Sequence, residues 1–186
     1  MFESPQVFGI ADRAELFDRW EAEAARFRRY YRHLTPEQRA APVLASPCGH
    51  AHGEHVPCMI VWIEAALRFF AARLQGSRIP FREEPSGMSM LDFTNQRIAS
   101  LDGLNWEDLW KRLETSDMRL RDIVKQLPDS EVFTNRDRIW EHLVWSAFGH
   151  YGEHSDEWEW EQAGKPGYPP DHEYSSPLLE KYSGKV

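Results

Sequence analysis

The sequence predicts an all-α protein folded as a four-helix bundle. Three observations carry this expectation. Apolar residues recur at three- and four-residue steps in four long segments, no segment shows the strict alternation of a strand, and capping or terminating residues flank the segments. With 186 residues, 41% of them apolar and 13% aromatic, the chain is long enough to bury a proper core. A single domain over 1–186 is expected, with its bundle at about 11–164 and an irregular tail at 165–186.

The first segment runs from about Ala11 to Leu34 and places Leu16, Phe17, Trp20, Ala24, Phe27, Tyr31 and Leu34 on one stripe. "TPEQ", Thr35 to Gln38, then reads as a cap opening one short turn. The second segment, about Glu54 to Leu74, is apolar around most of its circumference and is expected to be the most buried. Pro57 fits its first turn, where a missing N–H costs little, and Gly76 ends it. Asn105 caps the third segment, whose apolar positions run from Trp106 to Leu127 before Pro128 stops it. The fourth runs from about Arg136 to Gln162 and closes before "GKPGYPP". These four form an antiparallel bundle, and the link from Gly76 to Leu104 is long enough to cross its end, with a helical piece near "MLDFTNQRIAS".

Composition narrows the function classes. A formal net charge of −8 argues against nucleic acid and against anionic membranes as partners, both of which require basic patches. The basic run "RFRRYYRH", Arg26 to His33, reads as a solvated helix face. No stretch of about 18 uninterrupted apolar residues suggests a membrane span. The start "MFESPQVFGIADRAE" lacks the basic-then-apolar pattern of a secretory signal, and nothing requires Cys48 and Cys58 to pair. A cytoplasmic protein acting on a small molecule is the expectation.

The chemistry concentrates in "FGHYGEH", Phe148 to His154. Trp140, Leu143, Ala147, His150, His154 and Trp158 follow one another on the core stripe of the fourth segment. His150 and His154 then sit about 40° apart and one turn apart in height, so their imidazoles can converge on one ion or serve as hydrogen-bonded core residues. His142 falls on the opposite, solvated side. On the second segment Cys58, Trp62, Ala65 and Phe69 share a stripe, with His55 one turn before Cys58. Bundle metal sites are built from facing helices, and two histidines plus a further N, O or S donor, with open positions, form a catalytic divalent site. Cys58 equally reads as a small buried residue, and His50, His52 and His55 as a polar loop and cap.

Three stretches give the chain its resemblance to a known family: the first helix ending before "LTPEQ", the run "LDFTNQRIASLDGLNWEDLWKRLETSDMRLRDIVKQLP", and "WSAFGHYGEHSDEW". Together, over roughly Ala11 to Gly164, they resemble the DinB-like (DinB/YfiT-like) superfamily of four-helix bundles, within it the DfsB/ClbS-type branch. The resemblance implies a metal held by one histidine of the second helix and two of the fourth. His150 and His154 match the latter pair. In the second helix, alignment on Trp62 puts Glu54 at the family's acidic position and Cys58 where the histidine belongs. Cys58 as thiolate, His55 from one turn earlier, or loss of the metal are the three alternatives.

What the resemblance implies is a metalloenzyme with zinc or nickel and, as a second cofactor, a low-molecular-weight thiol. The reaction would be thiol-dependent S-transfer or hydrolysis of a small electrophile. Tyr151, Glu153 and Ser116 are candidate helpers, Glu153 pointing off the stripe and Ser116 interrupting the third helix's apolar stripe. The alternative is a non-catalytic dimeric binding or scaffold bundle with a decayed site. Trp145 and Trp160 lie off the core stripe and would then mark an interface, and family members are commonly homodimeric.

Overall fold

The computed structural model describes residues 10–43, 49–81, 88–133 and 139–165. Helix α1, Arg13–Tyr31, starts at Asp12, whose carboxylate accepts the Glu15 backbone N–H at 3.0 Å. Thr35 and Gln38 form the reciprocal capping box of α2, Pro36–Ala40. A 3₁₀ turn, His52–Glu54, leads into α3, His55–Leu74. This helix ends on Gly76 at φ 77°, where the Ser77 N–H reaches the Ala72 carbonyl at 2.8 Å and the Gly76 N–H reaches Arg73 at 2.9 Å. Then come α4, Met90–Ala99, capped by Ser89, and α5, Trp106–Gln126, capped by Asn105. The short α6, Asp129–Val132, α7, Ile139–Ser146, and α8, Phe148–Gln162, complete the order.

The protein is all-α, and contacts between residues fix the helix directions. Arg13 donates to the Val124 and Leu127 carbonyls while Trp106 donates to the Arg32 carbonyl, so α1 and α5 run antiparallel. Cys58 meets His150 and His52 meets Glu161, so α3 opposes α8. Tyr31, ending α1, meets His55, opening α3. It follows that α1 parallels α8 and α3 parallels α5. The antiparallel expectation thus holds between these pairs and not within them, because the long connection carrying α4 returns the chain to the end where α3 began.

One hydrophobic cluster joins the helices. Leu16, Trp20, Ala24, Phe27 and Tyr31 of α1 are all buried, as the stripe predicts, facing Leu113, Leu120 and Val124 of α5. Each large side chain moved fully out of water contributes about 1.5–3 kcal/mol. With its leading turn, α3 (52–74) is apolar and long enough to cross a membrane by length and composition alone, although charged residues interrupt it. Yet 67% of that window is buried inside the protein, as the central helix of a bundle requires. The expected fourth helix is divided at Ala147, which leaves helical geometry at φ −131°, ψ −109°. The break falls in "SAFG", 146–149, where Ser and Gly lower helix propensity, although the Ala147 N–H still reaches Leu143 at 3.1 Å.

The arginines of the basic run stitch helices together. Arg26 pairs with Asp156 and Glu159 of α8, and Arg32 with Glu107 of α5. His142, expected in solvent, is half-buried and stacks on Phe81 at 4.0 Å, because the ring finds an aromatic neighbour beyond the end of α3. Cys48 and the tail beyond 165 lie outside the described residues. In urea denaturation Leu120→Ala should cost about 2–5 kcal/mol, since Leu120 is fully buried, whereas Met118→Ala, 58% exposed, should stay within about 0.5 kcal/mol.

Candidate metal centre

Helix α8 turns a polar face into the core. His150, His154 and Glu157 are buried on it. Opposite lies the first turn and a half of α3, with His55 and Cys58 also buried. Cys58 Sγ is 3.6 Å from His150 Nε2, and one donor atom each from Cys58, His150 and His154 lie within 4.8 Å of one another. Tetrahedral zinc, with bonds of about 2.3 Å to sulfur and 2.0–2.1 Å to nitrogen, separates S and N by about 3.6 Å. The donor set therefore fits a divalent ion, with room for a fourth, exchangeable ligand. In the metal-free protein the same separation serves an S–H···N contact.

A hydrogen-bond chain orders the rest of the cluster. The Tyr31 hydroxyl donates to the His154 carbonyl at 2.9 Å, so its oxygen accepts from His55 Nδ1 at 3.0 Å. His154 Nδ1 donates to Glu157 Oε2 at 2.8 Å, which turns Nε2 into the atom His154 offers a ligand. His55 Nε2, left as a lone pair by this assignment, has no hydrogen-bond partner and sits 3.7 Å from the same carboxylate oxygen. The His55 and His154 rings stack at 3.9 Å. A second donor trio, His55, His154 and Glu157, thus overlaps the first at His154.

Of the candidate third ligands, then, Cys58 joins His150 and His154, and His55 lies across the face of the His154 ring. A cavity of about 90 Å³ opens over the Cys58–His150–His154 trio, walled by Trp62, Trp145, Met90 and Leu91, with Thr94 and Glu153 as further polar groups. Glu153 sits on the cavity side although its spacing set it off the stripe. Trp145, expected at an interface, packs on the core and lines this cavity. His50 lines it as well, held by Asn95 at 3.0 Å, while His52 contacts Glu161 at 3.3 Å.

Two candidates are not brought to this cluster. Ser116 donates to Glu64 at 3.3 Å between α5 and α3. Tyr151 faces Phe27 and Asp117 in a cleft of about 240 Å³ between α1 and α5. Sequence reasoning passed over Glu157, although its place three residues after His154, on the same helical face, was the available signal.

Burial dominates the electrostatics. It holds His55 well below the ordinary histidine range, with the charges of His154, His50, His52 and His150 acting the same way. It also holds His150 well below that range, aided by His154 and His50. Burial, then Glu157 and Glu161, push the Tyr31 hydroxyl well above the ordinary tyrosine value. At neutral pH these imidazoles are neutral, the state in which they ligate metal.

No family model matches the sequence, and no curated protein matches it. Among solved structures, an uncharacterised protein from Escherichia coli UTI89 superposes with a TM-score of 0.66 at 13% identity, covering 81% of this chain and 93% of that one. The colibactin self-resistance protein ClbS, crystallised in complex with a dsDNA, superposes with a TM-score of 0.64 at 17% identity, covering 80% and 94%. At such identities the likeness is one of fold. It also corrects one expectation: a net charge of −8 does not rule out nucleic acid as a partner, because ClbS, a protein of this fold, binds dsDNA. Net charge is a global sum, whereas phosphate contacts depend on local groups. The chain shares the all-helical fold of ClbS and of the uncharacterised Escherichia coli protein.

Proposed function

We propose that this protein is a metal-dependent enzyme acting on a small electrophile, with water or a low-molecular-weight thiol as the attacking group. The observation that supports this reading is the Cys58–His150–His154 trio at the floor of a cavity with apolar walls. A zinc or nickel ion bound there would bring the pKa of a bound water or thiol toward neutrality. Cys58, His150 and His154 would hold the ion, and Glu157 fixes the tautomer and orientation of His154. Trp62, Trp145, Met90 and Leu91 exclude water around the reacting group. Glu153 and Thr94 are the groups placed to accept or relay a proton.

Elemental analysis of protein purified without a metal-affinity column is expected to find about one zinc or nickel per chain, and none in a His150→Ala, His154→Ala double variant. In the cobalt(II)-loaded protein, a thiolate-to-metal charge-transfer band should vanish in Cys58→Ser and persist in His55→Ala. Glu157→Gln should weaken metal affinity about 10–100-fold, the usual cost of losing the partner of a ligating histidine. Wild-type protein that takes up neither zinc nor nickel would sink the metalloenzyme reading and leave a non-catalytic bundle.

The same burial predicts a pH dependence for the metal-free chain. His55 and His150 titrate below about 6.5 when folded and near 6.5 when unfolded. Below about 6.5 the unfolded chain therefore binds more protons, and stability falls as pH drops, by up to about 1.4 kcal/mol per pH unit for each group. Urea midpoints from pH 7.5 to 5 should decline, and less steeply in His55→Gln. A flat profile would show that these rings are not held neutral by the fold.

A further inference from the structure

We propose that the concavity between α3, α4 and α5 binds a small organic anion, a carboxylate or phosphate monoester with an apolar body. Its volume is about 230 Å³, and Ile60, Phe93 and Leu101 form apolar walls. Among the described residues, the guanidinium groups of Arg68, Arg97 and Arg112 line it together with the carboxylate of Glu64. Glu64 is committed to Arg112, which reaches its two oxygens at 2.7 and 2.8 Å, and it also accepts from Ser116. Arg68 is steered by the Phe81 carbonyl, 3.3 Å from Nη2.

Arg97 decides the case. It lies in the last turn of α4 with its guanidinium 5.5 Å from the Phe93 ring centroid, and its side chain makes no hydrogen bond or ion pair with another described residue. In a chain with 30 acidic and 22 basic residues, no carboxylate among the described residues meets this cation. A planar donor fork over an aromatic wall, with a second guanidinium across the cavity, suits bidentate recognition of a carboxylate or phosphate whose body rests on Phe93. The size is below the roughly 300–1,000 Å³ of drug-sized sites, so the ligand is small. A short, half-open concavity with its guanidinium groups gathered around one hollow also differs from the extended row of cations that a duplex backbone needs. Helix α4 separates this hollow from the metal-side cavity, presenting Phe93 and Arg97 to one and Met90, Leu91 and Thr94 to the other. The site does not depend on the metal.

Isothermal titration of the full chain with phenyl phosphate and with benzoate, beside benzyl alcohol as neutral control, tests this. Saturable binding of at least one anion in the millimolar range or tighter is expected, and none of the alcohol. Arg97→Gln should weaken it about tenfold or more, because a charge-assisted pair is lost. Glu64→Gln should tighten it by releasing Arg112, a gain that misfolding cannot imitate. His150→Ala should bind the anion as wild type does, which separates this site from the metal centre. No saturable anion binding, indifference to Arg97→Gln, or binding of duplex DNA alone with a steep salt dependence would overturn the proposal.

Discussion

The contact between Glu157 and His154 is the constraint around which the histidine-rich end of this bundle is arranged. A carboxylate 1% exposed is far from water, and such a charge is tolerated only when partners replace its hydration. His154 supplies a 2.8 Å bond to one oxygen, and a hydrogen bond of this charged kind contributes about 1.5–3 kcal/mol. The imidazole is thereby fixed in tautomer and direction. Tyr31 adds a second hold on the same turn of α8 by donating to the His154 carbonyl, and through its oxygen it fixes His55 too. Four residues from three helices share one network, so none of the helices can slide without breaking it.

The division of the bundle into two ends follows. Where α1 and α5 meet, Trp20, Leu113, Leu120 and Val124 belong to an ordinary packed core, and Asp117, bonded by Trp20 and Arg121, is one of the buried polar groups beside it. The opposite end holds the C-terminus of α1, the N-terminus of α3 and most of α8. There Phe27 and Tyr31 form an aromatic floor beneath a cluster of histidines. The parallel placement of α1 with α8 brings this about, because it puts the floor and the polar face of α8 at the same height.

Much of this was legible in the sequence. Periodicity located the four long segments, and Thr35, Gly76 and Asn105 marked boundaries where the structure has a capping box, a left-handed C-terminal glycine and an N-cap. The pair His150 and His154, with Cys58 opposite, was also readable, since four-residue spacing on a core stripe leaves little freedom. Helix direction was not, because amphipathicity is the same whichever way a helix points, and only the crossover by way of α4 sets α3 parallel to α5. Glu157 escaped because an acidic residue next to Trp158 reads as solvated, and burial of a carboxylate depends on a partner that periodicity does not show. Ser116 drew attention by interrupting the third helix's apolar stripe, and Tyr151 by adjoining His150 in the sequence. On a helix a one-residue step turns a side chain by about 100°, and Tyr151 accordingly faces α1 and α5 rather than the histidines.

The two donor trios cannot be served at once by one histidine, and the network favours one of them. An ion held by Cys58, His150 and His154 takes His154 through Nε2 and leaves its Nδ1–H on Glu157, which makes the ring a better donor. An ion held by His55, His154 and Glu157 would take Nδ1, and so must displace the proton that now secures the carboxylate. Breaking one partner of a buried pair costs about 3–5 kcal/mol before any ligand bond is formed. The first trio asks for no such loss, since its 3.6 Å S–N separation is already that of tetrahedral ligation. Cys58 as thiolate would also bring a negative charge to such an ion, which suits zinc and lowers the acidity the ion could impart to a bound water or thiol.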